Sequence, residues 1–314
     1  MKLTSRFLLT AGLLASVPFV AHARIERNVE KTFTVQAGGK LHLETQGGEI
    51  RVAAGADGVV KITARERIRA DSDAEANDLL KKLDLDFEQT GNDVSATSKY
   101  DSQPIGFHWG SWPPVQVDFI VTVPASFATD LHTSGGGITI GDLNAPVHAR
   151  TSGGGIKLGK IGADVDAHTS GGSVSLDGAT GEVKLGTSGG NITVGRVDGP
   201  ANLATSGGSI KIESVVGELR ANTSGGSIRA GIAGPLKGDC VLSTSGGSVR
   251  VTVEKAAAFQ LDASTSGGSV DAGGITITLE KSNRSHSQLV GSVNGGGPLL
   301  KLRSSGGSIE VRPM

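Results

Sequence analysis

The string Thr-Ser-Gly-Gly begins at Thr133, Thr151, Thr169, Thr187, Thr205 and Thr223, five successive steps of 18 residues. Two more copies start at Thr244 and Thr265, each after a step of 21. A variant, Ser304-Ser305-Gly306-Gly307, closes the series, and Thr45-Gln46-Gly47-Gly48 stands as an early outlier. A period of this length, kept over many copies, is the signature of a solenoid: each unit has an apolar face that only its neighbours can bury.

Within one period the apolar residues alternate twice. Ile138 and Ile140 flank Thr139; Val147 and Ala149 then alternate with His148 and Arg150 up to Thr151. The next copy repeats this as Ile156, Leu158, Val165, Ala167 and Thr169. Alternation means short strands with one buried face. Each coil therefore has two strands, a tight turn at Ser-Gly-Gly and a looser turn near Gly141-Asp142 or Gly159-Lys160, where Leu143, Ile161, Ala179, Val197 and Val215 point inward. The glycine pair is expected to serve a corner with positive φ and close backbone approach. The threonine before it falls on the inward phase, so its hydroxyl needs a partner, either a backbone group or the threonine one coil away. The expected fold is all-β: a parallel β-solenoid (a single-stranded β-helix) of about 18 residues per coil, wound right-handed as parallel crossovers are.

The ends differ from the middle. Residues 24–132 read as a β-rich cap, with strand-like runs at Thr32–Val35, Leu41–Thr45, Glu49–Val52 and Val59–Thr63. A helix is predicted near 73–83, where Ser72 and Glu75 form a capping box and Ala76, Leu79, Leu80 and Leu83 share a face. The repeats then fill 133–314, with an irregular excursion near 281–293 before the last coil.

Residues 1–23 have the features of a secretory signal: Lys2 and Arg6, an apolar stretch from Phe7 to Val20, and Ala21-His22-Ala23 as a cleavage site that would leave Arg24 first. Pro18 interrupts the apolar stretch, which is shorter than the ~18 residues of a membrane span. The expectation is an exported protein, periplasmic or at the cell surface, with no membrane span. No cysteine follows the cleavage site to carry a lipid, and the one cysteine, Cys240, has no disulfide partner. Without Lys2 and Arg6, the 31 acidic residues slightly outnumber the remaining basic ones, and no basic run occurs. That balance argues against nucleic acid or an anionic membrane as partner.

Motifs for chemistry are few. Gly186-Thr187-Ser188-Gly189-Gly190 fits the nucleophile-elbow pattern, but it is the ordinary repeat with a glycine in front, Ala204 stands there one coil on, and no helix follows. Registering the coils puts Asp130, His148, Asp166, Lys184, Asn202 and Arg220 in one outward column, and His132, Arg150, His168, Gly186, Ala204 and Asn222 in the next. With strands ~4.8 Å apart, His148 falls between two aspartates. A solvated face of mixed charge is the expectation, with no bound metal and no cofactor, since Arg150 stands where a cation would sit. The aromatic residues concentrate elsewhere: Tyr100, Phe107, Trp109 and Trp112, including both tryptophans and the one tyrosine, lie among Gly and Pro in 100–114. They are either a cap over the first coil or a loop for a ligand or partner.

The order of these features resembles an exported bacterial family of unknown function that carries the label "putative adhesin". The resemblance rests on Gly47-Gly48-Glu49-Ile50-Arg51-Val52, on the helix with Ala74-Glu75-Ala76, on Val117-Asp118-Phe119-Ile120-Val121-Thr122-Val123-Pro124, on the Thr-Ser-Gly-Gly-Ser-Ile coils, and on Gly297-Pro298-Leu299-Leu300-Lys301-Leu302 followed by Ser305-Gly306-Gly307-Ser308-Ile309. It spans nearly all of the chain after residue 23. It implies a β-solenoid at the cell envelope and no catalytic residues. The expectation is a non-enzymatic binding or scaffold protein whose partner is an envelope protein or a glycan. The alternative is a carbohydrate-active β-helix enzyme such as a polysaccharide lyase, which needs clustered acids and a base. An ice-binding surface would need an outward threonine array, and the outward columns hold Lys, Asp, Arg and His instead.

Overall fold

The structure, a computed structural model, describes residues 24–101, 113–282 and 286–314. Among these the strands form two sheets, one of 13 and one of 14 strands, whose inward faces enclose one core along the whole stack. Successive coils pair in parallel at constant phase. The strand Val147–Thr151 aligns with Val165–Thr169 so that Thr151 faces Thr169, and Ile156–Ile161 aligns with Val174–Ala179. Ile156, Val174, Ile192, Ile210 and Ile228 form one buried column, each at most 2% exposed. Leu143, Ile161, Ala179, Val197 and Val215 are buried as well. Gly159-Lys160, where the looser turn is expected, is part of the strand Ile156–Ile161, and the chain turns back at Gly162-Ala163-Asp164.

The Thr-Ser-Gly-Gly corner is a backbone lock between coils. From Thr133 to Thr244 each threonine hydroxyl donates to the carbonyl of the second glycine one coil earlier, as Thr151 to Gly136 (2.8 Å), Thr169 to Gly154 (2.7 Å) and Thr187 to Gly172 (2.7 Å); Thr265 donates to Gly307 of the final coil, and Thr45 to Val117. The same hydroxyl accepts from the N–H of its own second glycine, as from Gly154 to Thr151 (3.3 Å). Of the two partners expected for that hydroxyl, the backbone is the one used. The glycines, however, are not there for positive φ. Among the described residues positive φ occurs at turn glycines such as Gly38, Gly58 and Gly234, and at none of the corners. Space is the reason: a Cβ on Gly154 would lie 2.1 Å from the Gly136 oxygen of the coil before.

The stack does not begin at Thr133. The strands Lys40–Thr45 and Ile50–Ala54 form a coil that pairs with Ala128–Thr133 and Ile138–Ile140, and Thr133 donates to the Gly48 carbonyl at 2.8 Å. The outlier Thr45-Gln46-Gly47-Gly48 is thus a corner like the others. On its far side it meets Asp93–Tyr100 and Val115–Val123, so this coil inserts between two that follow it in sequence. The C-terminal end repeats the device. The final coil, Leu299–Ser304 and Ile309–Pro313, lies between Cys240–Val253 and Phe259–Asp271.

Antiparallel strands close both ends, where an open parallel stack would expose core and unpaired edge groups. At one end Arg24–Thr34 pairs with Val59–Arg69, which pairs with Val115–Val123, and Leu83–Thr90 pairs with Asp93–Tyr100. At the other, the described parts of the 281–293 excursion form antiparallel strands, Ile277–Ser282 with Gln288–Val293, laid against Phe259–Thr265. The helix runs Asp73–Leu80. Ser72 accepts from Glu75 N at its start, and the Glu75 carboxylate accepts from Asp71 N. Its face of Ala76, Leu79 and Leu80 covers a small second cluster of Ile68, Ala70, Tyr100 and Val115.

The cap also buries a charge. Asp118, 2% exposed, accepts from Glu49 N and from the guanidiniums of Arg65 (3.0 Å) and Arg67 (2.7 Å). Three donors on one carboxylate offset much of the cost of taking it out of water.

Candidate functional site

The corner lock fixes the register, and the register fixes which outward side chains meet. On the larger sheet, Lys40–Thr45, Ala128–Thr133, Val147–Thr151 and Val165–Thr169 lie side by side, each ending in its buried threonine. Two outward positions precede that threonine on every strand. They place His42, Asp130, His148 and Asp166 in one column and Glu44, His132, Arg150 and His168 in the next. Both columns match the sequence-derived order and gain a further coil at the N-terminal side. Four of the chain's seven histidines gather on this patch.

Asp130 is its hub. Its carboxylate lies 2.9 Å from Lys40 Nζ, 3.2 Å from His42 Nδ1 and 2.8 Å from His132 Nε2. Partial burial opposes ionisation, but these three groups outweigh it and hold the carboxyl well below the usual carboxylate range. His148 lies 3.5 Å from Asp166, and its ring centroid is 5.6 Å from that of His132. Burial pushes the His148 imidazole below its ordinary value, with Arg150 and His132 adding to the shift and Asp166 and Asp130 opposing it. The shift favours the neutral imidazole. His168 Nε2 stands 2.9 Å from Asp166 Oδ1, which is buried yet has no aligned hydrogen bond. The His168 ring lies over Gly186, where a Cβ would come 2.3 Å from Nδ1. That glycine makes room for an imidazole. The following strands, Val183–Thr187 and Ile192–Val197, offer no helix for a nucleophile elbow.

An open groove of about 600 Å³ runs along this patch, lined by Lys40, Asp130, His132, His148, Asp166 and Lys184 among others. Arg150 lines a separate groove with Gln46, His132 and His168. Asp130, His132 and His148 can each turn a donor atom to a common centre, these atoms lying within 4.8 Å of one another.

Of the aromatic candidates, Tyr100 is 6% exposed, its ring in the cluster beneath the helix and its N–H donating to Gln46 Oε1 at 3.0 Å. Phe107, Trp109 and Trp112 lie outside the described residues. The segment that holds them is rooted at Tyr100 and at Pro113, whose Cδ would be 3.2 Å from a Cβ on Gly47. His42 and Lys40 are not legible from the 18-residue period, because Thr45-Gln46-Gly47-Gly48 stands outside the periodic series. Aligning it with the other corners puts His42 three residues before its threonine, as His148 stands before Thr151.

A model of the family described as Toastrack DUF4097 matches residues 40–312, beginning at the strand that carries His42 and ending in the strand Ile309–Pro313. The chain belongs to the Toastrack DUF4097 family. This Toastrack chain is also similar to solved structures, at low identity. One is a "putative cell adhesion protein" from Clostridium sporogenes, 11% identical, with TM-score 0.24, covering 92% of this chain and 100% of that one. Another is a "putative adhesin" from Bacteroides fragilis, 9% identical, with TM-score 0.32, covering 92% of this chain and 97% of that one. A third is a "putative adhesin" from Parabacteroides distasonis, 12% identical, with TM-score 0.32, covering 91% and 97%. No curated protein matches. The whole histidine patch lies within the Toastrack match.

Proposed function

We propose that this Toastrack protein is a non-enzymatic binding protein of the cell envelope, exported by residues 1–23 and holding a rigid β surface against an envelope protein or a glycan. The observation that carries the reading is the register itself. Each outward residue is locked to a fixed place by the threonine–glycine bonds behind it, so the surface is pre-organised and loses little entropy when it meets a partner. Among the described residues no helix is long and apolar enough to cross a membrane. The aromatic segment supplies the proposed contact: Phe107, Trp109 and Trp112, with Tyr100 anchoring its root beside the corner Gln46-Gly47. Flat aromatic faces suit sugars or a partner's apolar pocket.

The test is binding of the purified protein to isolated envelope fractions and to a glycan array. Saturable binding, lost in the Trp109→Ala and Trp112→Ala variants with unchanged thermal stability and with acrylamide-quenchable fluorescence in the parent, is expected. Shielded tryptophan emission together with a large stability loss would make the segment a cap. Depolymerisation of a polysaccharide by the purified protein would overturn the non-enzymatic reading. N-terminal sequencing of exported protein should begin at Arg24.

A further inference from the structure

We propose that Asp130, His132 and His148 form a binding site for a divalent transition-metal ion, with zinc the species that fits. The residues come from two adjacent strands, Ala128–Thr133 and Val147–Thr151, whose pairing sets His148 beside Asp130. One donor atom from each lies within 4.8 Å of the others. Two imidazoles and one carboxylate suit a borderline ion such as zinc, whereas calcium and magnesium select all-oxygen shells.

The geometry needs little adjustment. Around tetrahedral zinc, with bonds of about 2.0–2.1 Å, donor atoms stand roughly 3.3 Å apart. The His132 Nε2–Asp130 Oδ1 pair, now 2.8 Å, must open by about half an ångström, and no separation has to close by more than about 1.5 Å. Rotation of half-exposed side chains achieves this while the parallel ladder stays fixed. The neighbours favour the arrangement. Lys40 and His42 hold the other oxygen of Asp130, Oδ2, and so orient the carboxylate with Oδ1 toward the His132 imidazole, the role of outer partners in metal sites.

Arg150 is the charge that opposes a cation here, since it acts on His148. It pairs in register with His132 and His168 and lines the groove it shares with them, while the groove around Asp130 and His148 is lined without it. Three protein ligands leave a coordination position open to solvent, as in zinc sites that accept a further ligand. The inference rests on the donor geometry alone and stands or falls apart from the binding reading above.

The experiment is calorimetric titration of zinc chloride into the full chain, purified without a histidine tag and freed of metal. One zinc per chain with micromolar or tighter Kd is expected, and no comparable heat with calcium. His132→Ala and His148→Ala should each weaken Kd by about tenfold or more. His168→Ala, on the same face but outside the triad, should leave it within about twofold. Circular dichroism of every variant checks the fold, and Asp130→Asn gives a second probe should an alanine variant fail to fold. No binding at about 100 µM zinc overturns the site. So does binding that none of the triad substitutions weakens, or equal weakening by His168→Ala.

Discussion

Replacing Gly172 and Gly171 separately by alanine tests the corner lock. A Cβ on Gly172 would lie 2.2 Å from the Gly154 oxygen and 2.4 Å from both Gly154 C and Gly155 N, all backbone of the coil before. No side chain can yield there, so the coils must part locally by about an ångström to restore van der Waals distance. That separation breaks the bond from Thr169 to the Gly154 carbonyl (2.7 Å) and strains those from Gly171 N to Ser152 O (3.0 Å) and from Thr187 to Gly172 O (2.7 Å). Two or three buried bonds at about 1 kcal/mol each, plus a stranded buried group at about 1–3 kcal/mol, give a loss on the order of 3–6 kcal/mol. Gly171 is different. Its Cβ would meet the Gly153 oxygen at 3.1 Å, which a shift of a few tenths of an ångström relieves. The stiffer unfolded chain of an alanine variant returns about 0.4–1 kcal/mol, so Gly171→Ala should change stability by no more than about 1 kcal/mol. Urea unfolding followed by far-UV circular dichroism compares the two through midpoint and slope. Equal midpoints, or a lower one for Gly171→Ala, would refute the claim that close approach dictates the second glycine.

Three further outcomes follow from burial and charge. Ile192→Asp should cost several kcal/mol or abolish folding, because it buries an unpaired carboxylate in the central column, while Thr193→Asp on the outward face should stay within about 0.5 kcal/mol; similar melting temperatures for the two would contradict the register. Asp118→Ala should destabilise by about 3–5 kcal/mol by leaving Arg65 and Arg67 without their shared anion, measured as the same urea midpoint; a neutral result would mean those guanidiniums are satisfied by water. Cys240 is buried, and its thiol is pushed up to about 11 by that burial. At pH 8 a chromogenic disulfide reagent should therefore label one thiol per chain only after unfolding, and prompt labelling of the native protein would show that the strand Cys240–Thr244 opens.

The middle of the fold was legible because its pairing is local in a particular sense. Each coil meets the coil one period away at the same phase, so a repeat of 18 residues translates directly into sheet register, as Thr151 opposite Thr169 exhibits. The helix was legible for a similar reason, since Ser72 and Glu75 interact within one turn. The ends break that condition. Thr133 bonds to Gly48 across 85 residues, and the coil Leu299–Pro313 enters between two earlier ones, and no periodicity encodes such insertions. The charge cluster at Asp118 was hidden likewise. The aspartate is visible in an apolar run, but Arg65 and Arg67 lie past Thr63, where the expected strand ended, on a strand that continues to Arg69.

The division of labour within each coil explains where the candidate site can be. The inward side chains and the Thr-Gly-Gly corner specify the fold, as shown by how little they vary from Thr133 to Thr265 while the outward columns change from coil to coil. Outward residues are thus released from folding constraints, and a local concentration of one chemistry among them needs its own explanation. Beyond Lys184 the first column carries Asn202 and Arg220, and the second Gly186, Ala204 and Asn222, an ordinary solvated face. Between Lys40 and His168 the same positions hold four imidazoles and two aspartates in mutual contact. Coils that differ this much on the outside while sharing one interior place the histidine patch near the end of the stack, on positions the fold leaves free to vary.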